Sequence, residues 1–258
     1  MTAMPTMVVT GSGSGIGRAT ANVAARHGWS VIGVDIRDAD VDADLSQDAQ
    51  REAAVTNILA RLDGRPLGAL VACAGLAAGD ASTIMKVNFF GATRLAEMLL
   101  PSLLAGPQGR AVVISSNALL HTPLWGNAAI EAALAGQEDE AAEAVKGQAD
   151  LAYFTSKKAL SLWVKREAVK PDWAGAGVLL NAIAPGATAT PMIAGLLEDQ
   201  QGRDFLMRMT PTRTPEVARP EAIAELACWL ASTANRSVVG QTIFCDGGAE
   251  ATLRPSAI

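Results

Sequence analysis

Short apolar runs alternate along the chain with stretches of helical length, and this order constrains the fold more than any other feature. Residues 7–10, 30–36, 67–73, 110–115, 178–184 and 242–245 are nearly continuous apolar segments of strand length, while 18–27, 48–62, 83–104, 152–169 and 221–231 carry helical patterning. Strands apolar on both faces belong in buried parallel sheets, and the helices between them are the crossovers that parallel pairing needs. The expectation is a single α/β domain spanning 1–258, a doubly wound parallel sheet covered by helices on both faces. Right-handed crossovers then align every strand C-terminus along one edge, where doubly wound sheets bind ligands.

One segment breaks the rhythm. Between 118 and 150, the stretch 128–145 is rich in Ala and Glu and poor in large apolar residues. It reads as one or two solvated helices inserted before the helix near 152, as a surface appendage, a lid or an element that alters assembly.

Composition removes several function classes. Half of the 258 residues are hydrophobic, enough for a full core, yet no apolar run reaches the roughly 18 to 20 residues that span a bilayer. The opening MTAMPT leads directly into a strand with no signal-like pattern, so the expected setting is cytoplasmic, without a membrane partner. A net charge of −5 without a basic cluster argues against nucleic acid. Cys73, Cys228 and Cys245 form no C-x-x-C pair and read as small buried hydrophobes in a reducing compartment. With only His27 and His121 available, most histidine-based metal sites are excluded, a Ser-His-acid triad is hard to assemble, and no metal is expected.

Immediately after the first strand comes Thr10-Gly11-Ser12-Gly13-Ser14-Gly15-Ile16-Gly17, with the glycines that matter spaced as Gly11-x-x-x-Gly15-x-Gly17. Glycine lets backbone approach a pyrophosphate closely, and the following helix offers unpaired N–H groups and the positive end of its dipole. Asp35 ends the second strand, eighteen residues past Gly17, close to the offset at which an acid bonds the adenosine ribose. A carboxylate there repels a 2′-phosphate, which favours NAD over NADP, although Arg37 follows two residues later. Asp44-Leu45 is placed to contact adenine, and Ala74-Gly75 closes the next apolar strand with a glycine suited to close approach. The fold is thereby read as Rossmann-type.

Tyr153 and Lys157 stand at i and i+4 of an amphipathic helix and share a face. A phenol near pKa 10 is a poor acid–base at neutral pH, but an adjacent ammonium and a cationic nicotinamide would lower it. Tyr153 is the only tyrosine. Ser116 closes the 110–115 strand, where its hydroxyl would orient a substrate oxygen. Asn88 is a polar residue in an apolar helix, read either as functional or as bonding a neighbouring carbonyl.

Taken in order, Thr10-Gly11-x-x-x-Gly15-x-Gly17, Asp35, Asn88 within V-N-x-x-G, Ile114-Ser115-Ser116, Tyr153-x-x-x-Lys157 and Asn181-x-x-x-Pro185-Gly186 resemble the short-chain dehydrogenases/reductases over essentially the whole length. The resemblance implies a catalytic tetrad of Asn88, Ser116, Tyr153 and Lys157. In it Tyr153 exchanges the proton, Ser116 positions the oxygen, Lys157 holds the ribose and lowers the tyrosine pKa, and Asn88 supports a relay water. It also implies that NAD carries the hydride, held by Gly11, Ser14, Gly15, Ile16, Gly17, Asp35, Asp44, Leu45, Ala74, Gly75, Asn88, Tyr153, Lys157, Pro185, Gly186 and Thr188. Three departures stand out: Ala72-Cys73-Ala74-Gly75 replaces the usual N-N-A-G, the connection from Gly75 to Asn88 is short, and that from Ser116 to Tyr153 is long.

With 183–188 reading I-A-P-G-A-T, the combination resembles the bacterial 3α-hydroxysteroid dehydrogenase/carbonyl reductase subgroup. That implies a hydrophobic secondary alcohol or ketone, a 3α-hydroxysteroid or bulky carbonyl compound. A dihydrodiol, terpenoid or aromatic alcohol is the alternative within the chemistry, and a noncatalytic NAD-sensing protein the alternative outside it. The substrate loop is expected over 187–215, with Met192, Ile193, Leu196, Leu197, Phe205, Leu206 and Met207 as its apolar wall, joined by Leu119, Leu120, Leu124 and Trp125. The family usually pairs through the helices that carry Asn88 and Tyr153, so an insertion there predicts a homodimer.

Overall fold

The computed structural model describes residues 4–121 and 126–256. Within them the alternation closes into a seven-stranded sheet in the order β3-β2-β1-β4-β5-β6-β7, parallel throughout. The strands are β1 (Thr6–Thr10), β2 (Ser30–Asp35), β3 (Val41–Asp42), β4 (Ala69–Ala72), β5 (Arg110–Ile114), β6 (Leu179–Pro185) and β7 (Thr242–Cys245). Order reverses at β1, whose neighbours are β2 and β4, so the chain leaves β1 in one direction and resumes in the other. This is the switch point at which doubly wound sheets open a crevice.

Alternation within the strands divides the core into two layers. Met7, Val9, Ala69, Val71, Val112 and Ile114 face α1 (Gly15–Arg26) and α10 (Pro220–Leu230). Their neighbours Val8, Leu70, Ala72, Ala111 and Val113 face α2 (Asp48–Leu62), α4 (Ala92–Leu104) and α7 (Ala149–Glu167). All eleven are buried, so a one-residue slip in any of these strands would exchange its contacts with both layers at once. Among the described residues no helix is long and apolar enough to cross a membrane.

Two expectations change here. The helix expected over 83–104 is three segments: α3 (Ala81–Met85), a π-helical turn at Lys86–Gly91 and α4. The π turn carries Asn88, whose side chain bonds outside its own helix, and such bulges concentrate at functional positions. The insertion is not a solvated appendage. Its helices α5 (Asn127–Leu134) and α6 (Glu138–Glu143) bury Ala129, Ile130, Ala133, Ala141 and Ala142. Small alanines let them lie close against α7 and α3. Polar ties fix the register: Arg94 donates to the Gly136 carbonyl, Ser82 Oγ to the Ala142 carbonyl, and Arg51 forms a two-point bond with Glu138.

The chain then returns through α8 (Ala194–Glu198), α9 (Gln200–Met209) and, after β7, α11 (Ala249–Leu253). The 187–215 connection is anchored at its far end, where Asn117 Nδ2 donates to Thr210 Oγ1 and His121 Nε2 lies 2.8 Å from the Met209 carbonyl.

Candidate active site

A cavity of about 420 Å3 opens along the C-terminal edge of the sheet and collects residues from the ends of β1, β2, β4, β5 and β6. Gly11, Ser14, Gly15, Ile16 and Gly17 form one wall. The turn is possible only without side chains at two points. Gly11 has φ +66°, and a Cβ on it would stand 2.9 Å from the Ala74 backbone; a Cβ on Gly17 would stand 2.0 Å from the Gly11 carbonyl oxygen. Ser14, the N-cap of α1, makes no side-chain capping bond, so the first N–H groups of a twelve-residue helix open onto the cavity beside it. A cradle of backbone donors at a helix N-terminus fits a pyrophosphate.

Asp35, Asp44 and Leu45 line the next stretch, as expected. Asp35 Oδ2 accepts from Gly13 N at 2.8 Å and Oδ1 from Ile36 N at 2.7 Å, which holds the carboxylate at the end of β2 against the glycine turn. Ala74 and Gly75 follow at the end of β4. Thr10 Oγ1 accepts from Ala74 N at 3.0 Å, tying together the two central strand ends where Ala72 and Cys73 replace the usual amide side chains. Pro185, Gly186 and Thr188 close the far side, with Thr188 Oγ1 donating to the Gly186 carbonyl.

The chemical end is built from β5 and α7. Ser116, Tyr153 and Lys157 line the same cavity as the glycine turn. Ser115 is held away from the chemistry, its hydroxyl engaged with the Lys157 carbonyl and Ser161 Oγ, whereas Ser116 Oγ accepts from Ala118 N and is near enough to the Tyr153 phenol to favour its ionised form. Lys157 is 4% exposed, and its ammonium donates to the Ile114 carbonyl at 2.8 Å. Burial pulls its pKa down to about 8, so it carries its charge below that pH.

Of the two charges expected to lower the tyrosine pKa, the Lys157 ammonium does not act on it in the structure. Burial pushes the Tyr153 phenol above its ordinary value, the Ser116 hydroxyl opposes this only in part, and the Lys157 ammonium is tied to Ile114 instead. Replacing Ser116 with alanine therefore raises the Tyr153 pKa further, and the phenolate absorbance of this single tyrosine reads the change directly. A titration midpoint that falls or stays fixed would contradict the assignment.

Asn88 packs directly behind the cavity wall: a Cβ on Gly75 would lie 3.2 Å from its Oδ1 and 3.3 Å from Lys157 Nζ. It is fully buried and does not line the cavity. Its Oδ1 accepts from Leu76 N at 2.7 Å, and Nδ2 donates to the Leu76 carbonyl at 2.9 Å and to Ser156 Oγ at 3.1 Å. Both amide N–H groups are thus committed to protein, so Asn88 could meet a water only through its oxygens. Ser156 in turn donates to the Tyr153 carbonyl at 2.8 Å, so Asn88 links the 75–76 turn to the helix that carries the tyrosine. Ser156 escaped notice in the sequence because a helical serine three residues after a site residue most often bonds its own helix.

Of the expected apolar wall, Met192 and Ile193 reach the cavity. Leu119, Leu120, Leu196, Leu197, Phe205, Leu206 and Met207 do not; Leu119 and Leu206 are in the core, while Leu196, Phe205 and Met207 face outward. Leu124 and Trp125 lie outside the described residues. Thr190 and Pro191 line the cavity unforeseen, because only the turn after Gly186 folds them back onto it. No insertion residue from 126 to 148 lines it, so the described part of the insertion is not its lid. Among the described residues no cluster of His, Cys, Asp or Glu has a metal-holding arrangement. Cys73 borders the cavity as a thiol pushed up to about 12 by burial.

Comparison with known proteins agrees with this geometry. A model of the short chain dehydrogenase family matches residues 5–133, and one described as enoyl-(acyl carrier protein) reductase matches 137–250. The chain is 38% identical to the 3-alpha-hydroxysteroid dehydrogenase/carbonyl reductase of Comamonas testosteroni, over 98% of this chain and 99% of that one. It is 32% identical to the cis-4-hydroxycyclohexanecarboxylate dehydrogenase of Sinomonas cyclohexanicum, over 93% and 94% of the two chains. Among solved structures, the 3-alpha-hydroxysteroid dehydrogenase of Pseudomonas sp. B-0831, complexed with NADH, superposes with a TM-score of 0.90 at 36% identity, covering 98% of this chain and all of that one. Matched over nearly its whole length by family models and relatives, the chain belongs to the short-chain dehydrogenase/reductase family.

Proposed function

We propose that the protein is an NAD(H)-dependent oxidoreductase that interconverts a secondary alcohol and a ketone on a hydrophobic substrate, a 3α-hydroxysteroid or a bulky carbonyl compound. The observation that carries this reading is the convergence of Ser116, Tyr153 and Lys157 with the glycine turn and Asp35 on one cavity. The bound nicotinamide supplies or takes the hydride. Tyr153 moves the proton: as a phenol it donates to the carbonyl oxygen in reduction, and as a phenolate it accepts the hydroxyl proton in oxidation. Ser116 holds the reacting oxygen beside Tyr153. Lys157 keeps a positive charge at the ribose end of the site, and Asn88 keeps the 75–76 turn and α7 in register. Met192 and Ile193 supply an apolar border, and the likeness to two hydroxysteroid dehydrogenases supports an oily substrate.

A screen of steroid, cyclic and aromatic secondary alcohols with NAD and with NADP, followed by absorbance of the reduced nicotinamide, tests the reading. Turnover of 3α-hydroxysteroids with NAD is expected. Tight NAD binding with no turnover of any alcohol would favour a nucleotide-sensing protein instead.

Asp35 should select the cofactor. Its carboxylate, fixed by two backbone N–H groups, stands where a 2′-phosphate would bring like charge. Asp35→Ser is expected to weaken NAD and improve NADP, changing the ratio of kcat/KM values for the two by about tenfold to a hundredfold. An unchanged ratio would remove Asp35 from the cofactor site.

The assembly we infer is a homodimer. Helices α5 and α6 cover part of α3 and α7, the surface through which the family pairs, and so leave less of it for a second copy. Sedimentation equilibrium should return twice the 26.6 kDa chain mass, and a stable tetramer would refute this.

A further inference from the structure

The buried ion pair that joins α6 to α2 ends on the wall of the cavity. Arg51 on α2 is wholly buried. Its Nη1 donates to the Leu45 carbonyl at 3.0 Å and to Glu138 Oε1 at 3.1 Å, and its Nη2 donates to Glu138 Oε2 at 2.6 Å and to Asp48 Oδ1 at 3.0 Å. Leu45 lines the cavity beside Asp44, and Thr83 and Val87 border it on the insertion side. We propose that Glu138 is a positioning residue for the adenosine half of the dinucleotide, acting through Arg51 on the Leu45 carbonyl; this rests on the nucleotide reading given above.

Three observations carry the coupling. The first is charge. A buried guanidinium needs a buried counterion, and of its two carboxylate partners Asp48 is 73% exposed while Glu138 is 20% exposed and grips both terminal nitrogens. Glu138 therefore holds the guanidinium in place. The second is satisfaction. Arg51 Nε has no acceptor, so the group already carries one orphaned donor and tolerates the loss of further partners poorly. The third is room. On its other side Leu45 abuts Gly91 in the π turn: a Cβ at Gly91 would lie 3.1 Å from Leu45 Cβ and 3.3 Å from the Leu45 carbonyl oxygen. Loss of the Arg51 bond therefore frees a carbonyl whose space toward Gly91 is already taken, on a segment whose residues Asp44 and Leu45 line the cavity. A staple that merely secured the insertion would not need to end on a residue of the cavity wall.

The test uses the full chain. Binding of AMP, ADP-ribose and NADH is measured by calorimetry for the unsubstituted protein, Glu138→Gln and Lys146→Ala. Lys146 forms an exposed pair with Glu143 after the same helix and serves as the control. In Glu138→Gln the dissociation constants of all three ligands should rise about fivefold to tenfold, while kcat at saturating NAD stays within about twofold; Lys146→Ala should change neither. If Glu138→Gln does not fold, Glu138→Asp retains the charge without the two-point reach and should give a rise of about threefold. AMP affinity unchanged in a folded Glu138 variant overturns the proposal, as does a fall in kcat equal to the loss of affinity, which is the mark of general damage. An unsubstituted protein that binds neither AMP nor NADH would instead remove the nucleotide reading on which the coupling stands.

Discussion

Tyr153→Phe should lower turnover of the alcohol and ketone couple by about a thousandfold and leave NADH affinity within about twofold, because positioned acid–base groups contribute roughly 10²–10⁴ to rate. The substitution removes a single oxygen. The ring keeps its edge-on contact with Phe154, at 5.9 Å between centroids and 81°, and what is lost is the polar interaction of the phenol with the Ser116 hydroxyl. The helix around it is untouched, since Asn88 and Ser156 hold α7 through the Tyr153 backbone carbonyl and not through the phenol. Melting temperature should therefore stay close to that of the unsubstituted chain, which separates a chemical defect from an unfolded one. Absorbance of the reduced nicotinamide gives the rate, and quenching of tryptophan fluorescence by NADH gives the affinity. Turnover retained in the variant would place the proton chemistry on another group.

The pH behaviour of the same residue sharpens this. Because burial raises the Tyr153 pKa, the phenol predominates in the folded protein around neutrality, which is the form that donates to a carbonyl. Oxidation needs the phenolate, so its rate should increase with pH up to that raised pKa, and the dependence should vanish in Tyr153→Phe. Lys157 moves the other way, losing its proton above about 8 and with it the positive charge beside the site. A rate of oxidation that is flat across this range would contradict a tyrosine base.

What the sequence disclosed and what it concealed follow from the range of the interactions. Strands such as 110–114 are legible because a buried parallel strand must be largely apolar on both faces, and the glycine turn is legible because its conformation is local to eight residues. The Tyr153 and Lys157 pair is legible because a helix sets their spacing. The π turn at Lys86–Gly91 was not, since it depends on Asn88 meeting Leu76 and Ser156, residues twelve and sixty-eight positions away. The docked insertion was hidden in the same way: alanines that look like a solvated surface are buried because α3 and α7 come close enough to cover them. The share of Lys157 in the tyrosine pKa was not legible either, because spacing reveals a neighbouring charge but not desolvation, nor the carbonyl of Ile114 toward which the ammonium turns.

The second large effect belongs to the turn itself. Gly17→Ala should raise the NADH dissociation constant by about a hundredfold or more and lower the melting temperature. The added methyl would stand 2.0 Å from the Gly11 carbonyl oxygen, 2.6 Å from its carbon and 3.0 Å from the Thr10 carbonyl oxygen, all of them backbone atoms with no rotamer to yield. Overpacking costs about 1–3 kcal/mol where side chains can shift, and here the backbone must shift instead. Gly11 has nowhere to go, being held at φ +66° with its own open face 2.9 Å from Ala74. Relief must therefore displace either α1, whose uncapped N-terminus is the proposed phosphate cradle, or the neighbouring Ala74-Gly75 turn, and either movement would disturb the same ligand. Gly195→Ala supplies the control, since a Cβ there meets nothing within 4 Å and its backbone needs no glycine. NADH bound with full affinity by Gly17→Ala would mean that the turn is not the phosphate site.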